Sequence, residues 1–241
     1  MTPLDPAQFV RYNTAIAAPP LIPEIRLHLA LEITPLWQAT EETLARAALP
    51  PPFWAFAWAG GQALARYLLD HKGLVAGCGL LDFAAGCGLV AIAAARAGAD
   101  PVLAAEIDRF GAAAIAANAA LNRAEVATTT DDLVGTSDGR WQVVTAGDVC
   151  YERPLADRVI PWLRQLAGEG ALVLLGDPGR AYLPAAGLRE RARYRVPTSR
   201  ATFATLSSGR CCPVDHRLPR RPALGRNFVY PQCDDFRKII Q

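Results

Sequence analysis

The chain has 241 residues, of which 51% are hydrophobic and 20% charged, and its formal net charge is only +2. This composition is typical of a globular protein with a full hydrophobic core, and the small net charge gives no electrostatic reason to expect nucleic-acid binding. Because no apolar run is long enough to span a membrane and the N-terminus lacks the features of a signal peptide, we expect a cytoplasmic protein without a membrane partner.

Residues 1–60 are rich in proline and predict an N-terminal extension that packs on the core. Within it, Ile25–Leu29 alternates apolar and polar side chains, which predicts a short exposed strand. Thr40–Arg46 predicts one or two helical turns, and Pro50–Pro52 ends them.

From residue 60 onward, strand and helix patterns alternate along the chain. The patterns predict strands at 79–84, 101–107, 126–131, 141–148 and 171–177, and helices at 60–73, 88–97, 109–121 and 154–167. Strands separated by helices of this length build a parallel sheet with helices on both faces. We therefore predict an α/β fold with a doubly wound, mostly parallel sheet in a core domain of residues 61–200.

A turn with two glycines, Gly86 and Gly88, joins the first of these strands to the following helix. Glycine has no Cβ, so a ligand can approach the backbone closely at such a turn. Glu106 follows twenty positions after Gly86, at the end of the next strand, where an acid can bind ribose hydroxyls. The pattern predicts a nucleoside site, although a tight turn without a ligand has the same glycine spacing.

Two classes of nucleoside cofactor fit this pattern. Gly86-x-Gly88-x-x-Ala91 has the spacing of a dinucleotide-binding turn, so a nicotinamide-dependent oxidoreductase is one candidate. Asp82 argues against it, because a carboxylate four residues before the first glycine repels a bound pyrophosphate. S-adenosylmethionine has no phosphate and carries a positive sulfonium, so Asp82 favours this cofactor.

Acidic residues mark the ends of five predicted strands: Asp82, Glu106, Asp131, Asp148 and Asp177. A single acid at such a position is commonly a helix cap. Because ligands bind beyond the carboxyl ends of parallel strands, a series of five predicts a site along one edge of the sheet.

Four residues near the C-terminus carry groups that can ligate zinc: Cys211, Cys212, His216 and Cys233. Their spacing matches none of the common ligand pairs, so we predict no metal site.

Several blocks of the sequence resemble known methyltransferases. The glycine turn after Asp82 and the order of elements resemble the class I, seven-stranded, Rossmann-like S-adenosylmethionine-dependent methyltransferases. Asp148–Tyr151 resembles the D-x-x-Y motif of a family that includes many protein-lysine methyltransferases. Pro52–Leu64 and Gly176–Arg180 are similar to the electron transfer flavoprotein beta-subunit lysine methyltransferases. The resemblance covers roughly residues 23–200.

The resemblance implies a cofactor-binding role for several residues. The residues that it places at the methionine part of S-adenosylmethionine are Asp82, Gly86, Cys87 and Gly88. Glu106 is expected to bind the ribose hydroxyls, and Asp131 or Asp132 is expected near the adenine. Trp58 either covers the cofactor or belongs to the core with its aromatic neighbours.

For the reaction, the resemblance implies two catalytic residues. Asp148 is expected to orient a lysine amine, Tyr151 to pack beside it, and water to take the proton. This predicts a monomeric protein-lysine N-methyltransferase that acts on the electron transfer flavoprotein beta subunit and does not bind nucleic acid. The alternatives are a methyltransferase of a ribosomal protein or of a small amine such as a pyridine base, a nicotinamide-dependent oxidoreductase, and a non-catalytic module.

Residues 201–241 depart from this family and predict an irregular C-terminal segment. Tyr194–Pro197 is compatible with a strand, but the acidic stretch and the apolar last strand that the family implies are not evident after Ala201. We expect the last strand to be supplied by Asn227–Tyr230 or to be missing.

Overall fold

The computed structural model describes residues 5–32, 34, 36 and 50–197, together with the backbone of residues 237–240. The N-terminal elements are α1 (Pro6–Asn13), β1 (Ala15–Ala17) and β2 (Leu27–Leu29). The core elements follow in the order α2 (Ala59–Asp70), β3 (Leu80–Phe83), α3 (Leu89–Arg96), β4 (Val102–Ala105), α4 (Arg109–Asn122), β5 (Ala127–Thr129), β6 (Val143–Gly147), α5 (Arg153–Gly168) and β7 (Leu172–Asp177). The last described strands are β8 (Glu190–Tyr194) and β9 (Arg237–Ile240).

Five parallel strands form the centre of the sheet, in the order β5-β4-β3-β6-β7. The predicted α/β fold with a parallel sheet is therefore confirmed. The strand order reverses between β3 and β6, so the loops that follow these two strands leave in opposite directions and open a crevice at the carboxyl edge. Beyond β7, the sheet continues with β9 and then β8 in antiparallel pairing.

Apolar side chains on both faces of the sheet account for the nearly continuous hydrophobic runs of the core strands. Leu80 packs in one cluster with residues of α2, α3 and α4, including Leu64 and Ile92. The next residue, Leu81, packs on the opposite face with residues of α5, including Trp162. Because successive residues of a strand point to opposite faces, a strand covered on both sides must be apolar at every position.

The N-terminal segment lies on the core as a small two-stranded sheet. β1 pairs with β2 in antiparallel register, and Leu27 and Leu29 are buried in the same cluster as Leu80. The prediction of an exposed strand at Ile25–Leu29 was wrong in this respect. The alternating pattern correctly indicated one apolar face, but that face packs on the protein and only His28 between the two leucines is partly exposed.

Two buried asparagines of α4 hold the main chain of this segment. Asn118 Oδ1 accepts a hydrogen bond from the N–H of His28 at 2.7 Å. Asn122 accepts from the N–H of Arg26 at 3.1 Å and donates to the Arg26 carbonyl at 2.6 Å. These side chains satisfy backbone groups that the short strand β2 leaves without a second strand partner.

The remaining terminal predictions have mixed outcomes. The strand suggested at Tyr194–Pro197 is present, but it lies at Glu190–Tyr194. The last described strand is Arg237–Ile240, later in the chain than expected. The predicted segments Thr40–Arg46 and Asn227–Tyr230 lie outside the described residues. In the part of the chain that the structure describes, no helix is long and apolar enough to cross a membrane.

Helix α2 crosses strand β7 at two glycines. A Cβ on Gly60 would lie 2.2 Å from the carbonyl oxygen of Gly176, and a Cβ on Gly176 would lie 2.3 Å from the carbonyl oxygen of Gly60. Real Cβ atoms do not come so close to an oxygen, so any larger residue must separate the helix from the strand. The two glycines therefore bring the N-terminus of α2 to the carboxyl edge of the sheet.

We expect Gly176→Ala to destabilise the protein by about 1–3 kcal/mol or more, because the added methyl group has no space between α2 and β7. Gly168→Ala is the control with the same chemical change: Gly168 is the last residue of α5, and a Cβ there would meet no atom within 4 Å. Urea unfolding of both variants measures the difference. Equal free energies of unfolding for the two variants would show that the helix and the strand can separate at little cost.

Candidate functional site

The glycine turn between β3 and α3 has a backbone that few residues can adopt. The φ angle is +54° at Gly86 and +77° at Gly88, which is also the N-cap of α3. A Cβ on Gly88 would lie 3.1 Å from a side-chain carbon of Ile115, so space is restricted there as well. On Gly86, the nearest atom to such a Cβ is the Cα of Trp54 at 3.9 Å, which leaves this side of the turn open to a ligand.

Asp82 lies underneath this turn, where it is almost completely buried. Its Oδ2 accepts a hydrogen bond from the N–H of Ala91 at 3.1 Å, and its Oδ1 accepts from the hydroxyl of Thr145 at 2.9 Å. Burial raises the pKa of Asp82 to about 7, although both hydrogen bonds favour the charged form. The side chain thus links the first turn of α3 to strand β6 from below.

Cys87 is also buried, and burial raises the pKa of its thiol to about 12. Its carbonyl accepts a hydrogen bond from Asn118 Nδ2 at 2.8 Å. Since Asn118 also binds His28, it joins the glycine turn to the N-terminal segment. Asn118 was not among the predicted site residues, because a polar residue inside an alanine-rich helix pattern gives no sign of its partners.

Glu106 binds the glycine turn from the end of the neighbouring strand. Its Oε2 accepts from the N–H of Gly86 at 2.9 Å, and its Oε1 accepts from the N–H of Asp108 at 3.0 Å. Burial raises the pKa of this carboxyl. The next residue, Ile107, has 72% of its surface exposed, which is unusual for a large apolar residue. The turn, the acid and this apolar side chain occupy one place at the edge of the sheet.

Asp131 and Asp132 follow strand β5, which lies next to β4 in the sheet, and both side chains are exposed. Asp131 accepts a hydrogen bond from the hydroxyl of Thr129 at 2.8 Å. Asp132 forms an ion pair with Arg158 at 2.6 Å, and this guanidinium is the main reason why the pKa of Asp132 is lowered. The structure places both acids at the predicted edge, and their role toward an adenine stays a prediction.

An aromatic segment joins the glycine turn to a second group of polar residues. Trp54 is buried against Gly86 and Gly111. The ring centroid of Phe53 lies 5.6 Å from that of Tyr151 and 6.2 Å from that of Trp58. Trp58 donates from Nε1 to the carbonyl of Phe53 at 2.7 Å. The segment therefore has one end at the predicted cofactor turn and the other at the predicted catalytic residues.

Asp148 has a left-handed backbone with φ at +58° and is nearly completely buried. Its Oδ2 accepts from the N–H of Gly61 at 3.1 Å, at the N-terminus of α2. Its Oδ1 accepts from Arg180, at 2.9 Å from Nη2 and 3.3 Å from Nε. Burial raises the pKa of Asp148, while Arg180 and the amides of Gly60 and Gly61 oppose this rise.

Arg180 is a further residue that the structure adds to the site, and Asp177, one of the five predicted strand-end acids, holds it. Asp177 Oδ1 accepts from the N–H groups of Gly179 and Arg180, each at 2.7 Å, and so fixes the turn that carries the arginine. Asp177 Oδ2 has no hydrogen-bond partner among the described residues. The Asp-Pro-Gly-Arg block carries a family resemblance, but nothing in its sequence indicates that Arg180 reaches Asp148.

Tyr151 has 41% of its surface exposed, so its ring borders solvent on one side and Phe53 on the other. Burial of the remainder is the main cause of the raised pKa of its phenol. Among the described residues there is no group of three or more His, Cys, Asp or Glu that would hold a metal ion. Cys211, Cys212, His216 and Cys233 lie outside that part of the chain.

Comparison with known proteins extends this picture. A family model described as ribosomal protein L11 methyltransferase matches residues 62–148. The electron transfer flavoprotein beta subunit lysine methyltransferase of Xenopus laevis is 39% identical over 178 residues, which are 73% of this chain and 71% of that protein. The enzyme of the same name from Mus musculus is 37% identical, and the match covers 80% of this chain and 78% of that protein. The one from Homo sapiens is 38% identical, and the match covers 73% of this chain and 68% of that protein.

Two solved structures resemble parts of the chain. The ribosomal protein L11 methylase of Lactobacillus delbrueckii subsp. bulgaricus has 27% sequence identity and a TM-score of 0.39, and the match covers 47% of this chain and 57% of that one. The magnesium protoporphyrin IX methyltransferase of Synechocystis with bound S-adenosylmethionine has 20% sequence identity and a TM-score of 0.45, and the match covers 56% of this chain and 71% of that one.

The buried Asp82 makes a prediction about stability and pH. Its pKa in the folded protein is about 7, whereas an unfolded aspartate has a pKa of about 3.9. Between these values the folded protein binds more protons than the unfolded chain, so the free energy of unfolding falls as the pH rises. We expect this fall, up to about 1.4 kcal/mol per pH unit from this group, to be absent in Asp82→Asn.

Urea unfolding of the parent and the variant between about pH 4.5 and pH 8 measures this difference. Asp157→Asn, at an exposed position on α5, is the control and should leave the pH dependence unchanged. If Asp82→Asn has the pH dependence of the parent protein, the Asp82 carboxyl is ionised throughout this pH range. Its hydrogen bonds then stabilise the charged form by more than burial destabilises it.

Proposed function

Because the chain belongs to the electron transfer flavoprotein beta subunit lysine methyltransferase family, we propose that it methylates lysine side chains of that flavoprotein subunit. It is an S-adenosylmethionine-dependent methyltransferase that acts on a protein. The observation that carries the proposal is the identity of 37–39% to several relatives of one name, over most of the chain.

The residues at the glycine turn fit an adenosine cofactor with an amino-acid tail. The open side of Gly86 admits a ligand close to the backbone, and Asp82, Cys87 and Gly88 hold the turn in this shape. A carboxylate has about four hydrogen-bond acceptor sites, and Glu106 uses one on each oxygen for a backbone N–H. The remaining sites can accept hydrogen bonds from the ribose hydroxyls. S-adenosylmethionine supplies a methyl group on a positive sulfur when it is bound.

Three further roles at the cofactor are part of the proposal. Ile107 presents an exposed apolar surface beside Glu106, which suits the face of an adenine. Asp131 or Asp132 accepts a hydrogen bond from the adenine amino group, as the resemblance implies. Trp58 covers the site at the other end of the aromatic segment.

The second half of the site suits a lysine side chain. A lysine amine has a reference pKa of about 10.4 and must lose its proton before it can act as a nucleophile. Asp148 directly follows strand β6, and its carboxylate accepts a hydrogen bond from an N–H of the incoming amine and directs the lone pair. Tyr151 and Phe53 flank the aliphatic part of the lysine. Water takes the proton.

For the architecture, we infer that residues 1–60 are an extension, residues 61–200 the methyltransferase core and residues 201–241 a segment that contributes the last strand. The pairing of β9 between β7 and β8 supports a sheet of seven strands, and helices on both faces support a doubly wound arrangement. We further propose that the enzyme is monomeric and cytoplasmic and that it binds neither nucleic acid nor membranes.

A ribosomal protein is the alternative substrate for which a specific observation exists. The family model of the ribosomal protein L11 methyltransferase matches residues 62–148. This range contains the glycine turn, Glu106 and, as its last residue, Asp148, but neither Tyr151 nor Arg180. The match therefore supports the cofactor half of the site and says little about the acceptor.

We expect Glu106→Gln to weaken S-adenosylmethionine binding by about tenfold to a hundredfold, because hydrogen bonds to a charged acceptor are replaced by weaker ones. Glu125→Gln, at an exposed position after α4, is the control with the same chemical change. Titration calorimetry measures the dissociation constants. Equal affinities in the two variants would remove Glu106 from the cofactor site.

The substrate is tested by incubating the enzyme with labelled S-adenosylmethionine and purified electron transfer flavoprotein. We expect label on the beta subunit, and about a hundredfold slower labelling by Asp148→Asn with unchanged cofactor affinity, because a contact that orients the amine is lost. If the flavoprotein stays unlabelled while another protein of a cell extract takes label, the substrate is that protein. If Asp148→Asn labels at the parent rate, Asp148 has only a structural role.

A further inference from the structure

The ion pair between Arg180 and Asp148 lies inside the acceptor half of the site. The two side chains are 16% and 8% exposed, and the guanidinium contacts a single carboxylate oxygen through Nη2 and Nε. The other oxygen faces the first amides of α2, whose dipole also favours a negative charge. In the described structure, Asp148 is thus already provided with positive charge before any lysine arrives.

Three separate elements hold Arg180 in this position. Asp177 fixes its backbone N–H at the end of β7, and Asp148 binds the guanidinium from the end of β6. The guanidinium carbon lies 5.8 Å from the ring centroid of Trp58, close enough for a cation–π contact. The Arg180 guanidinium is thus held next to Asp148, the residue expected to orient the lysine, where its charge affects whether the lysine is protonated.

A carboxylate without such a partner would hold a lysine in the wrong form. A nearby negative charge favours the ammonium over the amine, and an ammonium has no lone pair with which to attack a methyl group. An arginine guanidinium does not lose its proton in proteins, so its charge is permanent. Arg180 therefore removes the advantage that Asp148 alone would give to the ammonium.

We propose that Arg180 is a positioning residue whose charge balances Asp148, so that the acceptor lysine binds as the neutral amine. This inference rests on the proposed function and extends it to a residue with no role there. Asp148 keeps acceptor positions for an N–H of the amine, since a carboxylate has about four. Arg180 touches the carboxylate and not the reacting atoms.

The step that follows is a single displacement. The lysine ammonium first gives one proton to water. The lone pair of the nitrogen then forms the N–C bond as the C–S bond breaks, and the electrons of that bond remain on sulfur. The sulfonium becomes a neutral thioether and the nitrogen becomes a methylated ammonium, so that charge and atoms balance without a further reactant.

Other titratable groups face this ion pair, and they restrict what a pH profile can report. Burial raises the pKa of the Cys150 thiol to about 12, and it also raises that of the Tyr151 phenol, which Glu152 and Glu106 raise further. Neither group therefore gains charge near neutral pH. The pKa of the Asp177 carboxyl is also raised, mainly by burial.

The test is the pH dependence of kcat for the parent, Arg180→Gln and Arg180→Lys, with the flavoprotein as acceptor. In Arg180→Gln, the acid limb of the kcat profile should move to higher pH by about one unit, which lowers kcat about tenfold at neutral pH. KM for the protein substrate should be unchanged or lower, because the ammonium itself then pairs with Asp148. Arg180→Lys should return the limb toward the parent position.

A purely structural role would give a different result. It would reduce kcat by the same factor at every pH, raise KM or lower the thermal stability, and leave the limb where it is. Such a profile for Arg180→Gln overturns the inference. Arg140→Gln is the control, since Arg140 pairs with Asp138 on the exposed surface and should leave the profile unchanged.

A second measurement does not depend on the substrate. Carbon-13 NMR of the Asp148 carboxyl should show that its pKa rises by about one unit or more in Arg180→Gln. An unchanged titration overturns the inference whichever protein the enzyme methylates. If the parent enzyme fails to label the flavoprotein, the proposed substrate is wrong, and the kinetic profile is recorded with the protein of the extract that takes label.

Discussion

A buried carboxylate, Asp148, imposes the constraint on which much of this site depends. An ionised group inside a protein is tolerated only where hydrogen bonds and opposite charge replace its water. Here the N-terminus of α2 and the guanidinium of Arg180 provide both. The helix can approach only because Gly60 and Gly176 lack side chains at the crossing. The close packing of a helix on a strand is therefore a requirement of the electrostatics as well as of the core.

The segment 53–61 connects this carboxylate to the glycine turn at which we propose that the cofactor binds. Trp54 packs against Gly86, whose N–H binds Glu106, while Phe53 contacts the ring of Tyr151. A displacement of the turn would thus be transmitted to Tyr151, in the proposed acceptor half of the site, through a few aromatic contacts. In a methyl transfer, where catalysis is mainly the alignment of two reacting atoms, such a rigid connection has direct chemical value.

Local features of the site were predictable from the sequence, and long-range partners were not. Gly86 and Glu106 follow from chain geometry, because a turn that needs positive φ and an acid at the next strand end leave a regular spacing. The hydrogen bonds of Asn118 and the ion pair of Arg180 join residues far apart in sequence, and no periodicity encodes them. The structure weakens the electrostatic repulsion expected between Asp82 and a pyrophosphate, since a buried carboxyl with a pKa of about 7 is partly uncharged at neutral pH.

The proposed division of the site into a cofactor half and an acceptor half agrees with what each ligand requires. The match to the ribosomal protein L11 methyltransferase family covers residues 62–148 and ends at the catalytic carboxylate proposed here. An enzyme that keeps its cofactor but changes its acceptor has to preserve the turn and Glu106, while the residues around the incoming amine can differ. Trp58, Tyr151 and Arg180 all lie outside the matched range. Selectivity for a lysine of one protein should therefore reside in the segments that flank the cofactor core, where the charge around the amine is set.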